Sequence, residues 1–430
     1  MNLTSFFAGA SKRRPLLAMR GTVFAWCLAL TAHAAEGPLT LDAAIDRALS
    51  DAPQLASAQA SLEGAQASLI GAGRLPDPEA IIGVDNLPLN GAEQFSVTRD
   101  FMTMRKVGLM QTVPAGAKRR VQSELASREL DVAQAELRAT RFEIASAAAE
   151  AWIATSSTEQ TLARFNALRR DLGLQSTVAR TGLSSGRSSA VDALAGEAAL
   201  ARLESEILDL EQRQASQLAE LRRWIGSNAD RPLEDLPWKR ELDVSAQVLS
   251  ENVANHPPLA PFAARIEAAR TQVDLAKAER RPDWSAELSF AKRGPDYSDM
   301  VSLEFRLGLP LFRKNRQNPL IASKLANVRA EEARQDAAVR MHTAEVESMV
   351  ASWRLGRKRL EHFEATLLPL SRDRSRAVLS AYGSGRGEMW AVLDALRDEL
   401  DLQREFVALE ADVTRAWVFL HLLHSTGAMP

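Results

Sequence analysis

The sequence predicts a mainly α protein with a small β part, in which long helical hairpins and four short strands follow one plan used twice. Three observations point there. The two halves share their order of prolines, basic residues and glycines; proline-free tracts are rich in strong helix formers; and short segments alternate apolar with polar residues.

The duplication is read from punctuation. Each half opens on an apolar stretch after proline, Ala52-Pro53-Gln54-Leu55 and His256-Pro257-Pro258-Leu259. Each then runs an alanine-rich helix to a second proline, in Leu75-Pro76-Asp77-Pro78 and in Arg281-Pro282-Asp283-Trp284. A strand-like region closes at Val113-Pro114 before Lys118-Arg119-Arg120, and at Leu309-Pro310 before Lys314-Asn315-Arg316, with the same proline-to-lysine spacing. Long helical tracts carrying Trp152 and Trp353 follow, each broken by a Gly/Ser turn leading to Asp-Ala-Leu. The expected repeats are residues 39–240 and 241–430.

From Gly116 to about Arg180 there is no proline, and a helix of that length reaches roughly 100 Å at 1.5 Å per residue. No single globular domain is that wide. Leu125, Leu130, Ala133 and Leu137, and likewise Leu200, Leu203, Ile207 and Leu210, recur at three- to five-residue steps and give seams for helix packing. The second tract, about Asn318 to Ala381, carries Pro369, which should bend it.

The strands should be Ala80 to Asn86, Lys106 to Val113, Trp284 to Phe290 and Val301 to Leu309. In the last two, Trp284, Leu288, Phe290, Val301, Leu303, Phe305 and Leu307 share an apolar face, while Ser285, Glu287, Ser289, Ser302, Glu304 and Arg306 share the other. Apolar outside and polar inside is the pattern of a transmembrane barrel strand. Four strands cannot close a barrel, so strands that meet lipid must be pooled from several copies, three giving about twelve.

Composition narrows the function classes. The 430 residues are 46% hydrophobic and 25% charged with net charge -2, so no basic field suits phosphates and nucleic acid is not an expected partner. Residues 1–34 read as a cleaved secretory signal: Lys12, Arg13, Arg14 and Arg20 precede an apolar run from Gly21 to Thr31, then Ala32-His33-Ala34. The one cysteine, Cys27, lies within it and is a candidate lipid anchor, although Trp26 beside it breaks the usual small-residue pattern. Beyond the signal no apolar run of about 18 residues occurs, which leaves closed strands as the means of crossing a bilayer.

The repeated helix-strand-strand-helix plan, the Pro-x-x-x-Lys step and Tyr382-x-x-Gly385 leading to Val392-Leu393-Asp394-Ala395 resemble TolC-type outer-membrane efflux factors over residues 39 to 425. Leu75-Pro76-Asp77-Pro78, Asp85-Asn86-Leu87-Pro88, Met102-Thr103-Met104-Arg105 and Gln111-Thr112-Val113-Pro114 resemble the branch serving heavy-metal pumps of the cobalt-zinc-cadmium and copper-silver type. The resemblance implies a homotrimer with a twelve-strand outer-membrane barrel and a helical periplasmic tunnel. Heavy-metal cations would pass through it without chemistry, delivered by a proton-driven inner-membrane pump of the RND type and a periplasmic adaptor.

By the same resemblance, Thr181, Gly182, Leu183 and Ser184 form one tip turn that meets the adaptor, and Tyr382, Gly383, Ser384 and Gly385 form the other. Asp394 matches a carboxylate that rings the tip, and Asp192 and Arg386 are further gate candidates. Ala391 stands where the family has a second carboxylate and Arg386 sits one residue before the usual arginine, so the closure network is thinner or rearranged.

Other candidates have bland readings beside the functional ones. Met102, Met104 and Met110 suit soft monovalent copper or silver, yet methionine beside a strand is also ordinary filler. His421 and His424 share a helix face without a third ligand, and His256 precedes two prolines as a turn residue. Asp192 and Asp394 either meet passing cations or cap and pair with Arg187 or Arg386. Nucleophile elbows, phosphate loops and zinc spacings are lacking, so neither an enzyme nor a cofactor is expected. A periplasmic adaptor or a structural coiled-coil protein remains as the alternative; an adaptor would flank one hairpin with a lipoyl-like β-domain, and a coiled-coil protein needs no two-faced strands.

Overall fold

The computed structural model describes residues 37–425 apart from 187–188 and 243–244. The expected signal segment with Cys27 lies outside the described residues, as does Arg187. Element order runs twice through the same plan. The first pass is α1 (Leu41–Asp51), α2 (Pro53–Gly71), β1 (Glu79–Asp85), β2 (Met104–Val113), α3 (Gly116–Ser184) and α4 (Ala190–Ile225). The second is α5 (Ala246–Glu251), α6 (Ala260–Ala278), β3 (Trp284–Lys292), β4 (Met300–Leu307), α7 (Gln317–His362), α8 (Leu368–Gly383) and α9 (Met389–Ser425).

Helix α3 is one unbroken element of 69 residues, because nothing in it removes a backbone N–H donor or forces a positive φ. Its counterpart is divided. A π-helical turn, Phe363–Leu367, separates α7 from α8, and Pro369 lies in the first turn of α8. Pro369 cannot donate to residue 365 and its ring crowds that carbonyl; widening the preceding turn to an i→i+5 pattern relieves both. The expected bend is thus met by a local change of helix type.

The four strands form one antiparallel sheet in the order β1-β2-β3-β4. Its central seam joins the halves, with Val113 opposite Trp284 and Leu109 opposite Leu288. Leu309, expected in the last strand, falls outside it, since Pro310 next to it cannot extend the ladder.

The main core lies where the helices of both halves meet Leu39 and α1. Trp152 and Ile153 are fully buried there among Leu41, Leu221, Val407, Trp417 and Leu420. Trp152 Nε1 donates to Leu39 O at 3.1 Å, and Leu39 is itself held by Pro232 O and Glu234 N. Trp417 Nε1 reaches Glu241 O at 2.8 Å. Most of the expected seam residues pack in smaller clusters: Ala133 and Leu137 close on Leu62, and Leu203 and Ile207 join Phe165, Leu172 and Leu396, while Leu125 is in neither.

Two buried titratable groups give this region opposed pH dependences. His256, expected as a turn residue, does flank a 3-10 turn, but it is buried, with Nδ1 3.0 Å from His342 Nε2. Burial, then the neighbouring His342, push its pKa down to about 4. Burial pushes Glu410 up to about 7 against the pull of Arg164. His256 takes up its proton less readily folded than unfolded, so it weakens the fold as pH falls from about 6.5 to 4. Glu410 holds its proton more readily folded, so its contribution is complete below about 4.5 and is lost as pH rises to about 7. The expected result is that Glu410→Gln melts above the wild type at pH 8 and that this advantage shrinks toward pH 5, read by thermal melting in detergent. His256→Asn should flatten the acid limb instead.

Candidate functional site

Strand alternation sorts side chains into two unlike faces. On one, Ile82 lies opposite Val107, Val107 opposite Phe290, Leu109 opposite Leu288, Leu288 opposite Leu303, and Trp284 opposite Leu307. Val301 and Phe305 complete it, and all of these side chains are exposed. The opposite face is polar. Glu287, only 4% exposed as a side chain, receives Lys106 Nζ at 2.6 Å and Arg306 Nη2 at 2.8 Å. Arg306 also bridges to Glu304 at 2.7 Å. One carboxylate shared by two cations from neighbouring strands satisfies a charge that would be costly to bury alone. Ser289 lies buried on the same face. The apolar face seven residues long in β3 and β4 is the one the alternation predicts.

The Pro-to-Lys step after β2 has a structural task. Asp283, just before β3, accepts Ala115 N–H at 2.8 Å and Lys118 Nζ at 3.0 Å. Burial alone would raise its pKa, but the Ala115 N–H and Lys118 together hold it below the ordinary carboxylate value. The helix start of the first half is thereby fastened to the strand entry of the second.

At the other end of the helices the two hairpins pack side by side. Phe165, Leu172, Ala179, Leu203, Met389, Val392 and Leu396 are buried together, with Tyr382 and Leu393 against them. Thr181, Gly182, Leu183 and Ser184 are the last turn of α3, and the residue taking positive φ is Gly186, at 74°. Tyr382 and Gly383 end α8, Ser384 caps it, and Gly385 turns with φ 73°. Arg386 N–H donates to Ala381 O and Gly385 N–H to Tyr382 O, both at 2.9 Å. That pair of bonds is a Schellman cap, in which a glycine at the left-handed position avoids a Cβ clash.

The gate candidates fall apart into separate contacts. Asp192 completes a capping box with the N-cap Ser189: Ser189 Oγ donates to its Oδ2 at 2.7 Å, and Asp192 N–H returns to Ser189 Oγ at 3.1 Å. Arg386 Nε donates to Ser384 Oγ at 3.2 Å rather than to a carboxylate. Asp394 is held by Arg374, at 2.7 Å, and the same guanidinium also bonds Asp398. The Tyr382 hydroxyl is buried with no hydrogen-bond partner among the described residues. The sequence singles out Asp394 but not its partners: Asp398 stands at i, i+4 from it, which was an available signal, whereas Arg374 lies 20 residues away on another helix.

The methionines do not gather. Met102 is exposed in the loop after β1, Met104 opens β2, and Met110 lies inward with its Sδ 3.2 Å from Arg306 Nη1. His421 stacks on Trp417 with ring centres 4.9 Å apart. No group of three His, Cys, Asp or Glu able to hold a metal occurs among the described residues. No described helix is long and apolar enough to cross a membrane.

An open-edged sheet with one apolar and one polar face, carried on paired helical hairpins with capped tips, is an architecture shared with solved outer-membrane channels. Residues 248–424 match the outer membrane efflux protein family. It is 23% identical over 374 residues to the cobalt-zinc-cadmium resistance protein CzcC of Cupriavidus metallidurans, covering 84% of each chain. Its fold is that of the outer membrane protein VceC of Vibrio cholerae, with TM-score 0.74, 22% identity, and coverage of 90% of this chain and 96% of that one. It is also that of CusC, with TM-score 0.72, 16% identity, and coverage of 89% and 91%.

Proposed function

We propose that three copies of this chain form a passive outer-membrane exit duct for heavy-metal cations, fed by a periplasmic adaptor and a proton-driven RND-type pump. The observation that carries this reading is the sheet: an apolar face fit for lipid, a polar face fit for a water-filled lumen, and two free edges that only further copies can pair. Trp284, Leu288, Phe290, Val301, Leu303, Phe305 and Leu307 face lipid in this reading. The likeness to a cobalt-zinc-cadmium resistance protein supports the cation class. The secretory signal, residues 1–34, brings the chain to the periplasm.

The tip turns, Thr181 to Ser184 and Tyr382 to Gly385, present the surface for the adaptor. Leu183, Val191, Leu194 and Trp390 are exposed on and beside them, an apolar patch fit for a partner's helical hairpin.

Two tests apply. Deleting the gene should lower tolerance to one or more of zinc, cadmium, cobalt, nickel, copper and silver while sparing an organic toxicant; unaltered growth on all six metals refutes the cargo. Fractionation should place a heat-sensitive oligomer in the outer membrane, and a soluble periplasmic monomer refutes the duct. At the tip, Arg374→Ala leaves Asp394 and Asp398 without their shared cation. Exposed ion pairs contribute little to stability, so assembly should survive while single-channel conductance or cation preference shifts in planar bilayers. An unchanged channel would remove Asp394 from the gate.

A further inference from the structure

The two halves repeat their order of elements, and one contact between them has a counterpart that a single chain cannot complete. Aligning the halves on Pro114 and Pro310 matches Ala115 with Leu311 and Lys118 with Lys314; aligning them on Pro76 and Pro282 matches Asp77 with Asp283. The clamp of Ala115 N–H and Lys118 on Asp283 joins the first half to the second. Its counterpart is Lys314 with Asp77. Asp77 precedes edge strand β1 and Lys314 follows edge strand β4, both are exposed, and neither side chain has a polar partner among the described residues.

Two further observations agree. Helix α3 begins at Gly116, directly after the clamp, whereas α7 begins only at Gln317, with residues 313–316 in turns. Leu309, Leu311 and Phe312, beside Lys314, are all exposed, a patch with no cover in one copy. The same matching also reproduces a register it was not built from: Glu79 opposite Met110 maps onto Ser285 opposite Arg306, which is the pairing found in β3 and β4. Applied to the central seam, where Leu109 faces Leu288 and Val107 faces Phe290, it sets Phe305 opposite Ile82 and Leu303 opposite Val84 of a neighbouring copy. Both of these pairs join two exposed apolar side chains on the same face, whereas a slip of one residue would set apolar against polar.

We propose that β4 of one copy pairs antiparallel with β1 of the next in this register, locked by Lys314 and the Leu311 N–H closing on the next copy's Asp77. The proposal rests on the reading that copies join into a ring. In the single chain Leu311 N–H donates to Leu309 O at 2.9 Å; in the joined pair it turns to the carboxylate, and α7 gains its missing first turn.

The test uses the full-length protein in outer membranes. Ile82→Cys combined with Phe305→Cys should give, on mild oxidation, a ladder of covalent dimers and trimers in denaturing gels without reductant, while Val84→Cys with Phe305→Cys should give little. Asp77→Lys or Lys314→Asp alone should lower the temperature at which the native oligomer dissociates, and the double reversal should restore it. A stable oligomer that cross-links better through residue 84 than through residue 82, or a double reversal no better than the singles, overturns the lock while leaving the duct intact. Absence of any oligomer of the unaltered protein overturns the duct reading itself.

Discussion

Leu303→Arg is expected to abolish recovery of the assembled protein from the outer membrane. Leu303 is 62% exposed in one chain, sits mid-strand opposite Leu288, and in the proposed duct faces hydrocarbon. An arginine at the bilayer midplane of a barrel costs about 2 to 4 kcal/mol per copy, and a three-copy ring carries the substitution three times. Domain stability is of order 5 to 15 kcal/mol, so the penalty takes a large share of each copy's own stability. Ser302→Arg, one residue away on the opposite face, should assemble, because that face already holds Arg306, Glu304 and Glu287. The measurement is the yield of heat-sensitive oligomer in outer-membrane extracts. Normal yield from Leu303→Arg, or equal loss from Ser302→Arg, would reverse the assigned strand orientation.

The second large effect is Trp152→Ala, which should destabilise the fold by about 3 to 5 kcal/mol through the lost burial and the cavity left behind. Trp152 is fully buried and its indole N–H is the bond that holds Leu39 to the helical core. Trp152→Phe separates the contributions: it keeps most of the volume but leaves the Leu39 carbonyl without that donor, at a cost nearer 1 kcal/mol. Thermal melting in detergent together with protease sensitivity of the first residues after the signal would show both. Equal melting of the alanine variant and the wild type would mean that the N-terminal segment contributes nothing to this core.

What could be read from the sequence was what repeats locally. Alternation of Trp284, Leu288 and Phe290 with Ser285, Glu287 and Ser289 fixes both the strand and its faces, because the side-chain period of a strand is two. The unbroken run after Gly116 declares α3 through composition alone, and Pro369 announces an interruption. Contacts between distant segments left no such trace. Nothing around Lys118 points to Asp283, 165 positions away, and nothing around His256 points to His342. The tip shows the same division. The glycines mark turns, but only the folded backbone tells that Gly186 rather than Gly182 takes the left-handed conformation, and that Arg374 rather than Arg386 holds Asp394.

The π-helical turn at Phe363–Leu367 occurs in the second half and has no equivalent in α3. Around a ring of three copies, stiff columns and jointed ones would therefore alternate. Such a tube has three-fold rather than six-fold mechanics: widening its far end need not strain every column, since the jointed ones supply a pivot and the stiff ones a fixed frame.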